Sequence, residues 1–460
     1  MSFSSLSSRQ RIAALVDPGS FTDLSGSVEP LPLVIGTARI RGQHALMAFS
    51  DGHVRGGTFG VHEAERISDL LDEAMLESAQ SRPIVVVGFD TGGVRVEEGP
   101  RALAATSAAG IVLAQLGIAG IRSIALISGP RGCFGAPSVM ASLPHRVVMT
   151  AGSYWGLTGP KLVESVREIQ PESASPAAAA ENRLANGDCD VIVEDSVAAL
   201  RAELEHFVIQ PEPPAQTAAD VIHGSAQVTD ELWQRLRSSG GYAPPQPRWS
   251  RRRGLLDYSL RGQWHPVGDV ERAGMLLAGF GELSGRPALA LVLGPEAGTG
   301  DGLGIEEAAR VSALLARVID RPGPRAMILN FLFCQGHAVD AAQERFGVHR
   351  ALAQCLRAMV AARRAGHPIV TVLGGGTYGA AYFALAAPSH RILAMQGTSV
   401  APMAPEVLRA FQELRGKSPE YHADAHLAER IPDVRIVESV IRLPRVLREE
   451  LEALIADGCS

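Results

Sequence analysis

GVHEAERISDLL (residues 60–71) and GIEEAARVSALL (residues 304–315) are two versions of one pattern, and they decide the fold. Gly60, Glu63, Ala64, Arg66, Ser68, Leu70 and Leu71 recur as Gly304, Glu307, Ala308, Arg310, Ser312, Leu314 and Leu315, always 244 residues later. Register kept over so many positions marks an internal repeat, so the chain is built from two copies of one unit. The same offset carries Gly132, Gly135 and Ala136 of GCFGA onto Gly376, Gly379 and Ala380 of GTYGA. After one inserted residue His145-Arg146 matches His390-Arg391, and upstream Gly36 and Gly42 match Gly279 and Gly285.

Working outward, each unit opens with two extended segments joined at a glycine turn, residues 34–49 and 276–293. Helical spacing of apolar residues predicts helices over 61–79 and 305–319. Short buried strands are expected at 84–89 and 326–331 and, after a further helix, at 123–128 and 368–373, each running into a glycine loop. Continuous Val/Ile/Leu strands alternating with helices predict an α/β fold with mainly parallel sheets. Ligands collect at the carboxyl ends of such strands, where these glycines sit. Pro- and Gly-rich composition at 209–214 and 238–253 reads as an extended connection. The expected organisation is an N-terminal domain at 1–208, a linker at 209–262 and a C-terminal domain at 263–460.

The composition, 46% hydrophobic, 20% charged and 5% aromatic, is that of a folded protein, and 460 residues suffice for two cores. A net charge of -6 gives no electrostatic case for nucleic acid. Five scattered cysteines offer neither a zinc grip nor a disulfide framework, so no metal is expected and a reducing, cytoplasmic setting fits. The long uncharged stretch at 368–388 is broken by Gly374-Gly375-Gly376, which argues for buried strands and turns, not a membrane span. The basic run Arg251-Arg252-Arg253 reads as solvated linker ahead of a docking site for an acidic carrier protein or a nucleotide phosphate.

Four glycine loops recur in duplicated places: 91–95 and 129–135 in the first half, 335–337 and 374–379 in the second. None is followed by the Gly-Lys-Ser or Gly-Lys-Thr of a phosphate loop, and their spacing is not a dinucleotide fingerprint. Backbone N–H groups at such loops suit the enolate oxygen of a thioester reacting at its α-carbon, because a missing Cβ lets the substrate approach. A tight turn would use the same glycines, and both readings stand at this point.

The stretches RIAALVDPGSF (11–21), FDTGGVRVEEG (89–99), SGPRGCFGAPSVMAS (128–142) and GLTGPKLVES (156–165) resemble the β subunit of biotin-independent malonate decarboxylase. The second half, above all residues 334–395, is similar to the γ subunit of that family, and here the two are joined in one chain. More distantly both halves resemble the carboxyltransferase parts of acyl-CoA carboxylases. The resemblance implies two crotonase-like (ββα superhelix) domains and a cleft between them. It also implies decarboxylation of a malonyl thioester on an acyl carrier protein or coenzyme A. By position it implies oxyanion donors at Gly92, Gly93, Gly132 and Cys133, and at Gly375, Gly376 and Gly379. There is no biotinyl-lysine segment, so no bound cofactor is expected in this chain. A homo-oligomer is compatible with the resemblance.

Single residues carry two readings each. Arg95 is placed to hold a substrate carboxylate, or to pair with Glu97, Glu98 or a neighbouring loop. The Cys133 thiol reads as a small buried filler ahead of a nucleophile. His337 and Tyr378 are candidates to protonate the carbanion, and Gln335 is the residue kept where the sequence NFLFCQG (330–336) departs from the family's loop. Ala401 stands where the γ family tends to carry a histidine. Carboxyl or acyl transfer to a specialised acceptor, or a non-catalytic protein that docks an acyl carrier protein, are the alternatives to decarboxylation.

Overall fold

The computed structural model describes residues 2–26, 30–78, 81–167, 175–240, 242, 264–294, 302–416 and 423–457. In the first half β1 (Thr22–Asp23), β2 (Leu33–Ile40), β3 (Gln43–Ser50), β4 (Ile84–Phe89), β5 (Ser123–Ile127), β6 (Arg146–Thr150) and β7 (Val191–Val193) form one sheet in chain order. β2 and β3 are an antiparallel hairpin with Leu33 opposite Ser50, and β3 through β7 run parallel.

The second half repeats the plan. β8 (Trp264–Pro266), β9 (Glu271–Ala273) and the hairpin β10 (Leu276–Leu283) and β11 (Arg286–Leu293) lead into parallel β12 (Met327–Leu332) and β13 (Ile369–Leu373). β14 (Gly376–Tyr378) and β16 (Ser399–Ala401) pair apart from the main sheet, which is completed by β15 (Arg391–Met395) and β17 (Val434–Val437). The expected strands fall within two residues of these bounds, as burial on both faces makes a short apolar run unambiguous.

The duplicated helices are Val61–Glu77 and Ile305–Ile319. Each begins on a glycine whose N–H is capped by a glutamate three residues on: Glu63 accepts from Gly60 at 2.9 Å and Glu307 from Gly304 at 2.9 Å. The repeated Gly-x-x-Glu is therefore a helix start that satisfies an otherwise orphaned donor. Both helices bury one stripe, Ala64, Ile67, Leu70 and Leu71 in the first and Ala308, Val311, Leu314 and Leu315 in the second.

These helices, with Gly99–Ile118 and Val348–Arg364, fill the space between the two sheets, and one continuous apolar core runs across both halves. The outer face of the first sheet is covered through Ile12, Leu15, Leu200 and Leu204, that of the second through Leu443, Leu447, Leu451 and Leu454. Residues Val96–Ile118 are long and apolar enough to cross a membrane by length and composition. Their apolar surface is instead taken up at the seam: Gly110 lies so close to Phe383 of the second half that a Cβ there would be 2.3 Å from its ring.

The segment 209–262, expected as linker, is not extended throughout. Ala218–Ser238 is a helix with a capping box between Thr217 and Asp220, and it buries Val221, Ile222, Leu232 and Leu236. It packs on Ile305–Ile319 and Val348–Arg364 of the second half. Arg251, Arg252 and Arg253 lie outside the described residues.

Candidate active site between the two halves

The carboxyl ends of β4 and β5 release two loops that lie against each other. Gly93 (φ +115°) and Gly135 (φ +67°) need the left-handed region, and a Cβ on Gly135 would sit 3.2 Å from Gly93 Cα and 3.7 Å from Val94 N. A cavity of about 580 Å³ opens over them. Its wall is made by Gly93, Val94, Phe134, Ala136, Leu157 and Thr158 from the first half and by His337, Gly379, Met403, Val407 and Phe411 from the second.

The first-half N–H groups named from sequence, Gly92, Gly93, Gly132 and Cys133, are already taken. Gly92 N–H donates to Gly56 O at 2.9 Å, Gly132 to Gly129 O at 3.3 Å and Cys133 to Tyr154 O at 2.9 Å. Gly93 N–H donates to Thr91 Oγ1 at 3.1 Å. These amides close the loops and cannot also serve a substrate. The residues that follow the two left-handed glycines are different: among the described residues neither Val94 N–H nor Ala136 N–H has an acceptor. A glycine with positive φ turns the next peptide outward, and Ala136 also opens the helix Ala136–Ala141, whose first amides lack helical partners.

The second half carries the matching device. Phe59 N–H donates to Gly93 O at 2.9 Å, and Leu303 N–H to Gly336 O at 2.9 Å, so Gly336 (φ +124°) is the counterpart of Gly93 and His337 of Val94. His337 N–H likewise has no acceptor among the described residues. Its ring is joined to the other half, with Nε2 2.9 Å from Thr158 Oγ1. Burial pushes the imidazole down to about 4, so it is neutral at pH 7.

Of the remaining candidates, Arg95 is committed to carboxylates of the protein: Glu98 at 2.6 Å and Glu63 at 3.0 Å. The pairing reading is the one realised, and Arg95 is not free for a substrate carboxylate. Cys133 is fully buried, and burial raises its thiol well above the ordinary range, as expected of a filler and not of a nucleophile. Gly376 lies in β14 with the Tyr378 ring folded over it, and Tyr378 is buried away from the cavity wall. Gln335 is exposed, and neither it nor Gly375 lines the cavity. Gly379 does. No group of three or more His, Cys, Asp or Glu side chains that could hold a metal ion occurs among the described residues.

Three residues absent from the sequence reading complete the site. Thr158 bridges to His337, and Glu344 receives Leu157 N–H at 2.9 Å and Thr158 N–H at 2.6 Å. Behind them Arg183, fully buried, pairs with Asp188 at 2.9 Å and donates to Glu344 O at 2.5 Å. The quoted GLTGP contains Thr158, but nothing local announces a partner almost 180 residues away.

A family model for the carboxyl transferase domain matches residues 4–412. The chain is 27% identical over 278 residues to the malonyl-S-ACP:biotin-protein carboxyltransferase MADC of Malonomonas rubra, covering 53% of this chain and 86% of that one. It is 33% identical over 179 residues to the mitochondrial propionyl-CoA carboxylase beta chain of Sus scrofa, covering 35% of this chain but only 32% of that one. Among solved structures, the Pseudomonas malonate decarboxylase MdcD-MdcE hetero-dimer is 29% identical over 46% of this chain and 90% of that one, with a TM-score of 0.41. The family match over residues 4–412, laid over two halves that repeat one plan, leads to one conclusion: the chain is an enzyme of the carboxyl transferase domain family.

Proposed function

We propose that this chain decarboxylates a malonyl-type acyl thioester, presented on an acyl carrier protein or coenzyme A, through an enolate held by backbone amides. The observation that carries the reading is the pair of unclaimed donors, Val94 N–H and Ala136 N–H, on the wall of a cavity built by both halves. With the thioester oxygen at these donors, the bond from the α-carbon to the carboxylate breaks and carbon dioxide leaves. The electron pair left behind spreads onto the thioester oxygen. Fixed donors aimed at charge that develops only then are worth roughly 3 kcal/mol each. The α-carbon next takes a proton. His337, neutral and tied to Thr158 at 2.9 Å, holds no spare proton as an imidazolium, so water is the simpler source.

The rest of the wall suits this substrate. Leu103, Phe134, Leu162, Met403, Val407 and Phe411 are apolar, which favours release of neutral carbon dioxide from a charged carboxylate. Arg131, Lys161 and Arg415 stand exposed at the cavity, where phosphate groups of the carrier would meet positive charge. A second reading, carboxyl transfer to an acceptor, is favoured by the likeness to MADC, whose name gives a biotin protein as acceptor.

The test is mass spectrometry of malonyl, methylmalonyl and longer alkylmalonyl thioesters incubated with the purified chain, without biotin or ATP. Acetyl or alkylacetyl thioester is the expected product. Product formed only when a biotinyl protein is added would select the transfer reading, and no turnover under either condition would overturn both.

A further inference from the structure

The Leu157–Thr158 stretch, part of the cavity wall, is held from the opposite half by one side chain. Glu344, 3% exposed on the short helix Ala341–Arg345, uses both oxygens: Oε2 receives Leu157 N–H at 2.9 Å and Oε1 receives Thr158 N–H at 2.6 Å. Leu157 in turn presents its carbonyl to Gly135 N–H at 2.9 Å. The peptide after Gly135 is the one that carries the free Ala136 N–H. A continuous line of hydrogen bonds therefore runs from a second-half carboxylate, through Leu157, to the peptide next to the donor on the first half.

The line is braced on its other sides. Arg183 fixes the Glu344 carbonyl at 2.5 Å, and a Cβ on Gly156 would meet Glu344 Oε2 at 2.8 Å, so neither the helix nor the stretch has room to slide. Thr158 Oγ1 is 2.9 Å from His337 Nε2, which ties in the second half's own free amide. An ordinary helix cap would satisfy donors of its own helix. This carboxylate satisfies donors 186 and 187 residues away, on the other half of the chain.

We propose that Glu344 is a positioning residue, which sets the direction of the Ala136 N–H by holding Leu157 and Thr158 from the opposite half. The proposal rests on the reading of that N–H as a donor to the substrate oxygen. Two N–H groups on one carboxylate require both oxygens to be acceptors. Glu344→Gln keeps the shape but points an NH₂ at one of them, and Glu344→Asp keeps the charge but shortens the reach.

The experiment pairs steady-state kinetics on the malonyl thioester with hydrogen–deuterium exchange of the resting protein. For E344Q, kcat is expected to fall about ten- to a hundredfold with KM little changed, the size of effect that small displacements of a catalytic group produce. Exchange should quicken at least tenfold in peptides covering 153–163 and also 131–141, while peptides of the first sheet stay as in the parent protein. E344D should recover part of kcat. Unchanged kcat, or faster exchange at 153–163 without any at 131–141, would overturn the proposal. If the parent protein turns over no thioester, the functional reading fails, and the exchange at 131–141 still decides whether Glu344 governs that peptide. Should E344Q not fold, E344D carries the same pair of measurements.

Discussion

The two halves hold the same loops in place by opposite chemistry. Beneath the first-half loops Asp90 receives both Arg11 Nη atoms at 3.1 Å and the Arg131 N–H at 2.9 Å, with Arg11 and Asp90 essentially inaccessible to water. Gly129 must be glycine because a Cβ would lie 2.1 Å from that carboxylate. Beneath the second-half loops stands Phe333, and Gly374 must be glycine because a Cβ would lie 1.9 Å from its ring. A repeat therefore conserves the space under its loops without conserving what fills it. The ion pair supplies directional bonds to loop atoms, whereas the ring fills apolar volume.

Breaking the braces is the largest effect expected. Asp90→Ala should cost about 3–5 kcal/mol of unfolding free energy, because it strands a buried guanidinium. Phe333→Leu, which keeps apolar volume, should cost less than about 1.5 kcal/mol in the same denaturant titration. Equal losses would remove the distinction between the halves.

The next test separates the donors. Ala136→Pro deletes one N–H at a helix position that tolerates proline, and a loss of about 10²–10³-fold in kcat with normal unfolding is expected. Retained turnover would show that the amide is not used.

At the seam, burial holds His349 well below its ordinary value, with Arg183 and Arg350 adding to the effect and the Trp155 ring 4.4 Å away. A base whose folded pKa is depressed takes its proton first in the unfolded chain, so its effect is a loss of stability as pH falls below about 6.5, at most about 1.4 kcal/mol per pH unit. Glu344, pushed up to about 7, works in the opposite sense, losing stability as pH rises through that value. The informative quantity is thus the difference between His349→Gln and the parent protein from pH 7 to 5, which should shrink towards acid. The smallest effect is Thr158→Val, about 0.5–1.5 kcal/mol from the lost bond to His337, read by thermal unfolding.

Strand bounds, the hairpins and the glycine loops were legible because burial and turn chemistry act locally. The free amides lie just beyond the residues named, one position on from Gly93 and three on from Cys133. Gly92, Gly93, Gly132 and Cys133 sit where the sequence points, but loop closure uses their N–H groups, and the free ones belong to Val94 and Ala136 immediately after a left-handed glycine. That rule, the residue after the glycine, could have been applied to GGV and FGA directly. Glu344, Arg183 and Asp90 act through contacts formed only once the sheets are stacked, and a single sequence carries no local sign of them. The 218–238 helix was hidden by its proline-rich approach, although Thr217 and Asp220 spell out its cap.

That helix decides where the chain can be divided. Gln216 N–H is still bonded to Ile118 O of the first half at 2.9 Å, and two residues later the chain is docked on the second. A pair of fragments cut after 240 would strip the second piece of the helix that packs on Ile305–Ile319 and Val348–Arg364 and expose apolar surface there, inviting aggregation. Fragments meeting near 216 would keep that helix on the half it covers and leave only the seam to close, and would be the ones to recombine into a working whole.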